Sequence, residues 1–152
     1  LGRIAMPFYG PYQSSKWALE AMAENYRAEL SSFGIENCIV EPGGYPTTFM
    51  VNLLKASDNS RTAAYGEFMN VPDQMFGGFE QVLKNSPEQN PQKVADAMVE
   101  LIEKPIGEKP FRTPVDFIGM GDLIRKYNEH LEQITQGLYT NFGLGGLLSV
   151  KK

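Results

Sequence analysis

The chain has 152 residues, of which 42% are apolar and 21% charged, and its formal net charge is −4. This length supports one hydrophobic core and is short for two. The acidic balance argues against a nucleic-acid partner, because binding phosphates requires clustered Lys and Arg, and the 14 basic residues are scattered. One cysteine cannot form an internal disulfide, and no stretch has the pattern of a membrane span or a signal peptide, so we expect a cytoplasmic protein.

The first eleven residues contain several residues that disfavour a helix interior, and they predict a strand end followed by a loop. The sequence starts abruptly and without Met, which suggests that it begins inside a fold. A long helix is predicted from Gln13 to about Ser32, because apolar residues recur there at helical spacing.

Two stripes run along this predicted helix. The first consists of large apolar residues and the second is small and Ala-rich; their members are Leu19, Met22, Ala23, Tyr26, Leu30 and Phe33, and Trp17, Ala18, Ala21, Asn25 and Ala28. Two stripes predict two packing partners. We expect one stripe to pack on the domain's own sheet and the Ala-rich one to meet another helix or a second subunit, which predicts a homo-oligomer formed through helix 13–32.

Tyr12 and Lys16 lie four residues apart at the start of this helical pattern. Residues at this spacing share one helix face, with Cβ atoms roughly 5–6 Å apart. A cation about 4 Å from a phenol, at an effective dielectric constant near 20, favours the phenolate by at most ~4 kcal/mol. The pair is therefore a candidate for proton exchange near neutral pH, although the spacing alone also arises by chance.

A short apolar segment, 35–40, follows Gly34 and predicts a buried parallel strand, in which Cys38 is a small core residue. The next segment, 41–49, contains a Pro-Gly-Gly turn and two threonines. In open α/β sheets, ligands bind beyond the carboxyl ends of the strands, and glycine lets the backbone approach them closely. The segment is a candidate cofactor site, and its alternative is an ordinary surface turn.

Together these residues form a recognisable order. With Gly2, Pro7, Tyr12, Ser15-Lys16, a long helix, a short apolar strand and Pro42-Gly43-x-x-x-Thr47, the chain resembles the second half of the short-chain dehydrogenase/reductase family, in its single-domain subgroup. The resemblance is firmest over residues 1–49 and weaker to about Val115. It implies an α/β fold, the C-terminal portion of a doubly wound, Rossmann-like parallel sheet whose N-terminal nucleotide-binding half is missing.

The resemblance also implies a reaction. Tyr12 would be the general acid/base that exchanges a proton with the substrate oxygen, and Lys16 would support it and hydrogen-bond the nicotinamide ribose. The cofactor would be NAD or NADP, and the substrate a small carbonyl or alcohol compound. Hydride transfer itself is chemistry of the cofactor.

The same resemblance assigns the turn to the cofactor. Pro42 and Gly43 would lie against the nicotinamide, the Tyr45 backbone would hold its carboxamide, and Thr47 would bond the carboxamide or the pyrophosphate. The family's glycine-rich phosphate loop has no counterpart, because 119–121 and 143–146 do not follow a predicted strand and open a helix inside a βαβ unit. The catalytic serine would fall two positions before Leu1.

We therefore expect this chain to be inactive alone. The alternative is a non-catalytic oligomerisation module derived from the same fold. Half of a doubly wound domain would also leave a strand edge and a helix face uncovered, so we expect poor folding or association.

The whole chain, 1–152, is interpreted as one partial domain. Segment 50–90 corresponds to the family's substrate lid, and its apolar residues would suit an apolar substrate or, equally, simple packing of two short helices; they are Phe68, Met69, Met75, Phe76, Phe79, Val82 and Leu83. Segment 91–117 predicts a closing helix and strand.

The closing helix should span 91–104 and bury one apolar face, which comprises Val94, Ala97, Met98, Leu101 and Ile102. The final strand is expected at 111–117. Segment 118–152 predicts a helix over 123–138 and a Gly-rich tail. The helix contains His130, which we interpret as a partly exposed residue, since no cluster of metal-ligating residues surrounds it.

Overall fold

The computed structural model of the protein describes residues 1–54 and 56–151. It contains helices and a small parallel sheet, which confirms the α/β class. The elements, in chain order, are α1 (Gly10–Ser31), β1 (Ile39–Pro42), a 3₁₀ segment (Thr62–Asn70), α2 (Val71–Lys84), α3 (Gln92–Glu103), β2 (Arg112–Val115), α4 (Gly121–Asn141) and a second 3₁₀ segment (Gly145–Leu148).

The two strands pair in parallel, with Ile39 opposite Arg112 and Pro42 opposite Val115. The carboxyl ends of both strands therefore lie side by side. Helix α3 contacts both strands and α4 contacts β2. Because the connection between parallel strands runs through α2 and α3, the arrangement is compatible with a portion of a Rossmann-like sheet.

Several predicted boundaries were wrong by a few residues. Residues 1–9 contain no strand, and α1 begins at Gly10 rather than Gln13 because Pro11, in its first turn, has a φ suited to a helix start. Strand β1 covers Ile39–Pro42 rather than 35–40, since only that stretch faces β2. Gly34 lies just beyond the end of α1 with a φ of 73°, as expected of a residue that terminates a helix.

The region around β2 also differs from the prediction. The strand is shorter than 111–117, and α4 starts earlier and ends later than 123–138. Gly119 has a φ of 105°, which fits a turn, but Gly121 is the first residue of α4. Segment 119–121 therefore lies between β2 and the start of α4, but among residues 1–54 and 56–151 no strand follows α4 to complete a βαβ unit.

The prediction that the large apolar stripe of α1 packs on the sheet was wrong. Its larger members are between 45% and 76% exposed, namely Leu19, Met22, Tyr26 and Phe33. The buried residues of α1 are Gln13, Ala28 and Ser31, on a different and mostly polar face. The apolar face of α3 is also only partly covered, since Leu101 is buried whereas Met98 and Ile102 are exposed.

Helix α1 is attached to the rest of the chain through long polar side chains. The Arg112 guanidinium of β2 lies 3.1 Å from Glu20 and 2.5 Å from Glu24, both on α1. Arg27 forms two hydrogen bonds, of 2.6 and 2.7 Å, with Glu132 of α4. These contacts explain why charged residues of α1 face inward. In the part of the chain that is described, no helix is both long and apolar enough to cross a lipid bilayer.

Candidate active site at the carboxyl edge of the strands

Tyr12 and Lys16 lie in the first turns of α1 and share one face, as predicted. The Lys16 Nζ is 5.5 Å from the centroid of the Tyr12 ring, and both side chains are half-buried. Lys16 forms none of the ion pairs found within residues 1–54 and 56–151. Its ammonium is therefore available to donate to a bound group.

Two aromatic rings, those of Tyr9 and Phe49, lie beside Tyr12. The Phe49 ring, at the end of the turn that follows β1, is 5.3 Å from it. Tyr9 lies 6.1 Å from Tyr12 and meets Phe76 of α2 edge-on at 5.4 Å. Segment 41–49 therefore reaches the Tyr12 side chain through Phe49, whereas segment 50–90 reaches Tyr9 through Phe76.

The predicted cofactor turn is tied to the end of β2. The Gly43 N–H donates to the Val115 carbonyl at 2.9 Å, and the Tyr45 hydroxyl donates to the same oxygen at 3.0 Å. Burial, together with the charge of Asp116, raises the pKa of Tyr45. Pro42 ends β1 and is exposed, as is Gly43.

Thr47 is exposed, and its hydroxyl oxygen accepts a hydrogen bond of 3.4 Å from the Phe49 N–H. Of the six predicted site residues, the structure thus places Tyr12 and Lys16 in contact. It connects the turn to Tyr12 through Phe49. The Tyr45 side chain instead contacts β2.

The two glycines of this turn have a structural explanation. A Cβ on Gly43 would lie 2.1 Å from Asp116 Oδ1, and a Cβ on Gly44 would lie 2.1 Å from Cζ of Phe79. The sequence interpretation attributed a glycine here to the approach of a ligand. The contacts show that neighbouring side chains of the chain itself already require both glycines.

Sequence reasoning missed two polar residues at this edge, Gln89 and Asp116. Gln89 is only 1% exposed and lies between the turn and the end of β2. Its Nε2 donates to the Gly44 carbonyl at 2.7 Å, and its Oε1 accepts from the Phe117 N–H at 2.7 Å. A glutamine in a loop carries no sequence signal of such a role, and Asp116 lies four residues before the N-cap Met120, outside the position where a capping pattern is read.

Asp116 occupies the amino terminus of α4. Its Oδ2 accepts hydrogen bonds from the N–H groups of Met120 (2.8 Å) and Gly121 (3.1 Å). These are the amides that a phosphate would use at a helix start. Segment 119–121 therefore has the strand and helix of a dinucleotide loop, but its amides already bind a carboxylate of the chain.

A charged network lies behind the turn, on the strands. Arg112 Nε is 3.5 Å from Glu41 Oε1, and Asn128 Nδ2 donates to Glu41 Oε2 at 2.5 Å. Desolvation by burial raises the pKa of Glu41, while the hydrogen bond from Asn128 opposes this. The network connects β1, β2 and α4.

Two shallow depressions on the described surface lie away from Tyr12. One, of about 340 Å³, is lined by residues of β2 and α4, including Arg112, Thr113 and Asn128. The other, of about 440 Å³, lies between α1 and the second 3₁₀ segment and includes Arg27 and Leu148. Neither contains a predicted site residue, so the candidate site rests on the chemistry around Tyr12. Within residues 1–54 and 56–151, no group of three His, Cys or acidic residues is placed to hold a metal ion.

Comparison with known proteins relates the chain to one group of enzymes. It is 35% identical over 111 residues to the uncharacterized oxidoreductase YusZ of Bacillus subtilis, covering 68% of this chain and 36% of the relative. It is 31% identical to the probable short-chain type dehydrogenase/reductase VdlC of Helicobacter pylori, over 57% of this chain and 32% of the relative. It is also 31% identical to the NADPH-dependent 3-dehydrocapnine reductase of Ornithobacterium rhinotracheale, over 53% of this chain and 29% of the relative.

No family model matches the chain. The chain spans about a third of the length of these curated relatives. The matched segments nevertheless cover more than half of this chain in each case. Over that part of its length, the chain is a relative of the short-chain dehydrogenases/reductases.

Proposed function

We propose that the chain contributes the proton-transfer site of an NAD(P)-dependent oxidoreductase that interconverts a carbonyl and an alcohol. The observation that carries the proposal is the contact between Lys16 and Tyr12, with Nζ 5.5 Å from the ring centroid, in a chain related to oxidoreductases. Tyr12 exchanges a proton with the substrate oxygen. The ammonium of Lys16 donates to the ribose hydroxyls of the cofactor.

The turn after β1 is proposed to hold the nicotinamide end of NAD or NADP. Three residues of this turn are exposed, namely Pro42, Gly43 and Thr47. The position of Tyr45 is fixed by the hydrogen bond from its hydroxyl to the Val115 carbonyl of β2. When bound, the nicotinamide supplies or accepts the hydride. The residues of the chain orient that ring, exclude water and move the proton at the Tyr12 oxygen.

The proposed substrate is a small and largely apolar carbonyl or alcohol compound. Tyr9 and Phe49 lie beside Tyr12, and Phe76 packs on Tyr9, so aromatic surface favours an apolar group beside the reacting oxygen. Phe76 belongs to the segment that corresponds to a substrate lid. One NADPH-dependent relative is a reductase by name, which is consistent with the same class of cofactor.

The 152 residues alone are expected to be inactive. The described residues offer no strand-to-helix glycine loop with free amides, because Asp116 occupies those at the start of α4.

The test compares Tyr12→Phe with Tyr26→Phe, an exposed tyrosine on the same helix. Both are made in the encoded protein together with any residues that precede Leu1. We expect Tyr12→Phe to bind NADH or NADPH normally, as measured by fluorescence titration, and to lose about 10²- to 10⁴-fold in turnover. Tyr26→Phe should keep both properties. Turnover that survives Tyr12→Phe would contradict the proposal.

A second candidate function is a non-catalytic oligomerisation module. It is favoured by the outer face of α1, where Leu19, Met22 and Tyr26 are each about half exposed. In this second function, another copy of the chain covers the outer face of α1 and forms a homo-oligomer. Failure of the wild-type protein to bind either nucleotide, together with self-association in sedimentation, would favour this function over the enzyme.

A further inference from the structure

Gln89 holds the turn 42–45 between two strand ends. It lies just before α3, is 1% exposed, and is one of three buried polar residues among those described. A buried polar side chain is tolerated when its groups are hydrogen-bonded, and an amide offers both donor and acceptor. Gln89 can therefore connect a backbone carbonyl of one segment to a backbone N–H of another.

The hydrogen bonds of Gln89 determine the orientation of its amide. Oε1 accepts from the Phe117 N–H at 2.7 Å, and Nε2 donates to the Gly44 carbonyl at 2.7 Å. A flipped amide would place its NH₂ against an N–H and its oxygen against a carbonyl. A weaker contact of 3.4 Å from Nε2 to Asp116 Oδ1 agrees with the same orientation.

The turn has little freedom to move away from these contacts. The Gly43 N–H and the Tyr45 hydroxyl both donate to the Val115 carbonyl. Gln89 fixes the residue between them, because its Nε2 donates to the Gly44 carbonyl. Three consecutive residues of the turn are thus fixed by the end of β2 and by Gln89.

We infer that Gln89 is a positioning residue for the nicotinamide end of the cofactor. The inference rests on the proposed function, in which the turn 42–45 lies against that ring. A turn that is held before binding loses less conformational entropy when the ligand binds. Gln89 therefore sets cofactor affinity through the backbone of Gly44, without touching the reacting atoms.

The test uses Gln89→Glu and Gln89→Met in the encoded protein. Gln89→Glu keeps an acceptor for the Phe117 N–H and, when ionised, loses the donor to Gly44. Gln89→Met loses both. We expect the KM for the cofactor to rise about tenfold or more in both variants at neutral pH, with kcat at saturation changed less than about threefold.

A pH profile separates positioning from a general loss of structure. As the pH falls, the carboxyl introduced by Gln89→Glu becomes protonated and can again donate to the Gly44 carbonyl. The cofactor KM of Gln89→Glu should then return toward the wild-type value, whereas that of Gln89→Met should not. Gln92→Glu, on the exposed start of α3, is the matched control and should leave KM unchanged.

Hydrogen exchange at the turn distinguishes this inference from the proposed function. The Gly43 amide, which donates to the Val115 carbonyl, should exchange faster in both variants, and the Phe117 amide only in Gln89→Met. An unchanged cofactor KM in an active enzyme, or unchanged exchange at the turn, would overturn the inference. A different result would overturn the proposed function: a wild-type protein that binds no nicotinamide nucleotide, with faster exchange at the turn in the variants. In that case Gln89 would still hold the turn, but it would have no role in binding the cofactor.

Discussion

The two long faces of α1 differ in an unusual way. The face toward the sheet and α4 carries Glu20, Glu24 and Arg27, and it is held by ion pairs. The face turned away carries large apolar residues such as Leu19 and Met22, which are 56% and 49% exposed. An ordinary surface helix has the opposite arrangement, with its apolar stripe toward the core.

This difference indicates what stabilises the described part of the chain. Only three apolar residues are buried in it, namely Ala28, Leu101 and Val115. The contacts between elements are largely polar, through Arg112, Gln89 and Asp116. The inner contacts should therefore respond to single polar substitutions, whereas the outer face should respond to changes in association.

The largest effect is expected from Arg112→Leu. The Arg112 side chain is 7% exposed and lies near carboxylates of Glu20, Glu24 and Glu41. Removing the cation leaves these carboxylates uncompensated, and the free energy of unfolding should fall by about 3–5 kcal/mol. Arg125→Leu removes an exposed pair with Asp122 and should change it by no more than about 1 kcal/mol. Urea unfolding of both variants tests this, and equal losses would mean that the inner network does not stabilise the fold.

A smaller effect is expected at the turn, from Gly44→Ala. The added Cβ would lie 2.1 Å from Cζ of Phe79, so the ring or the turn must move. Overpacking of this kind costs about 1–3 kcal/mol. Thermal unfolding should show a lower Tm.

Gly78→Ala is the matched control for this substitution. Gly78 lies inside α2 with nothing within 4 Å of an added Cβ, so alanine should stabilise the helix by up to about 1 kcal/mol. Opposite signs for the two substitutions are expected. A destabilising Gly78→Ala together with a neutral Gly44→Ala would show that the contact at Phe79 is not as described.

The sequence predicted the elements of this chain better than their packing. The spacing of Tyr12 and Lys16 predicted their contact, because one helix turn determines it. The parallel strand after α1 was also predicted, since short apolar runs after a helix are typical of α/β folds. Local geometry suffices for both features.

The packing of α1 depends on residues distant in the sequence and could not be predicted from its own pattern. Arg112 follows Glu20 by 92 residues, and this ion pair reverses the face that periodicity assigns to the sheet. Gln89 reaches Gly44 across 45 residues, in a loop without a motif. Both contacts arise only when the two strand ends are brought together.

The pH dependence of stability should have opposite signs at two glutamates. Hydrogen bonds from Arg27 hold the pKa of Glu132 below the ordinary glutamate value. A lowered pKa in the folded state gives stability that is present above about pH 4.5 and is lost as the pH falls through the folded value. The Glu132→Gln variant should not show this loss of stability at low pH. The difference in the free energy of unfolding should be about 1 kcal/mol or less, because the pair is partly exposed.

Glu41 should behave in the reverse manner. Burial raises the pKa of Glu41 above the ordinary glutamate value, so its contribution to stability is present below that ordinary pKa and is lost as the pH rises through the folded value. The wild-type protein should therefore lose stability as the pH rises above about 4.5, and the Glu41→Gln variant should not show this loss. Urea unfolding of both variants between pH 3.5 and 7 gives the two slopes. Slopes of the same sign would contradict the electrostatic interpretation.

The smallest effect on stability is expected at the outer face of α1, from Leu19→Lys. Leu19 is already 56% exposed, so a lysine there should change the free energy of unfolding of the monomer by about 0.5 kcal/mol or less. If a second copy covers this face, the same substitution should abolish self-association in sedimentation, while Val99→Lys on exposed α3 leaves it intact. A monomeric wild type would reject the second copy as partner. A loss of several kcal/mol in a monomeric Leu19→Lys would instead show that the outer face is packed within the chain, and the contrast between the two faces of α1 would then fail.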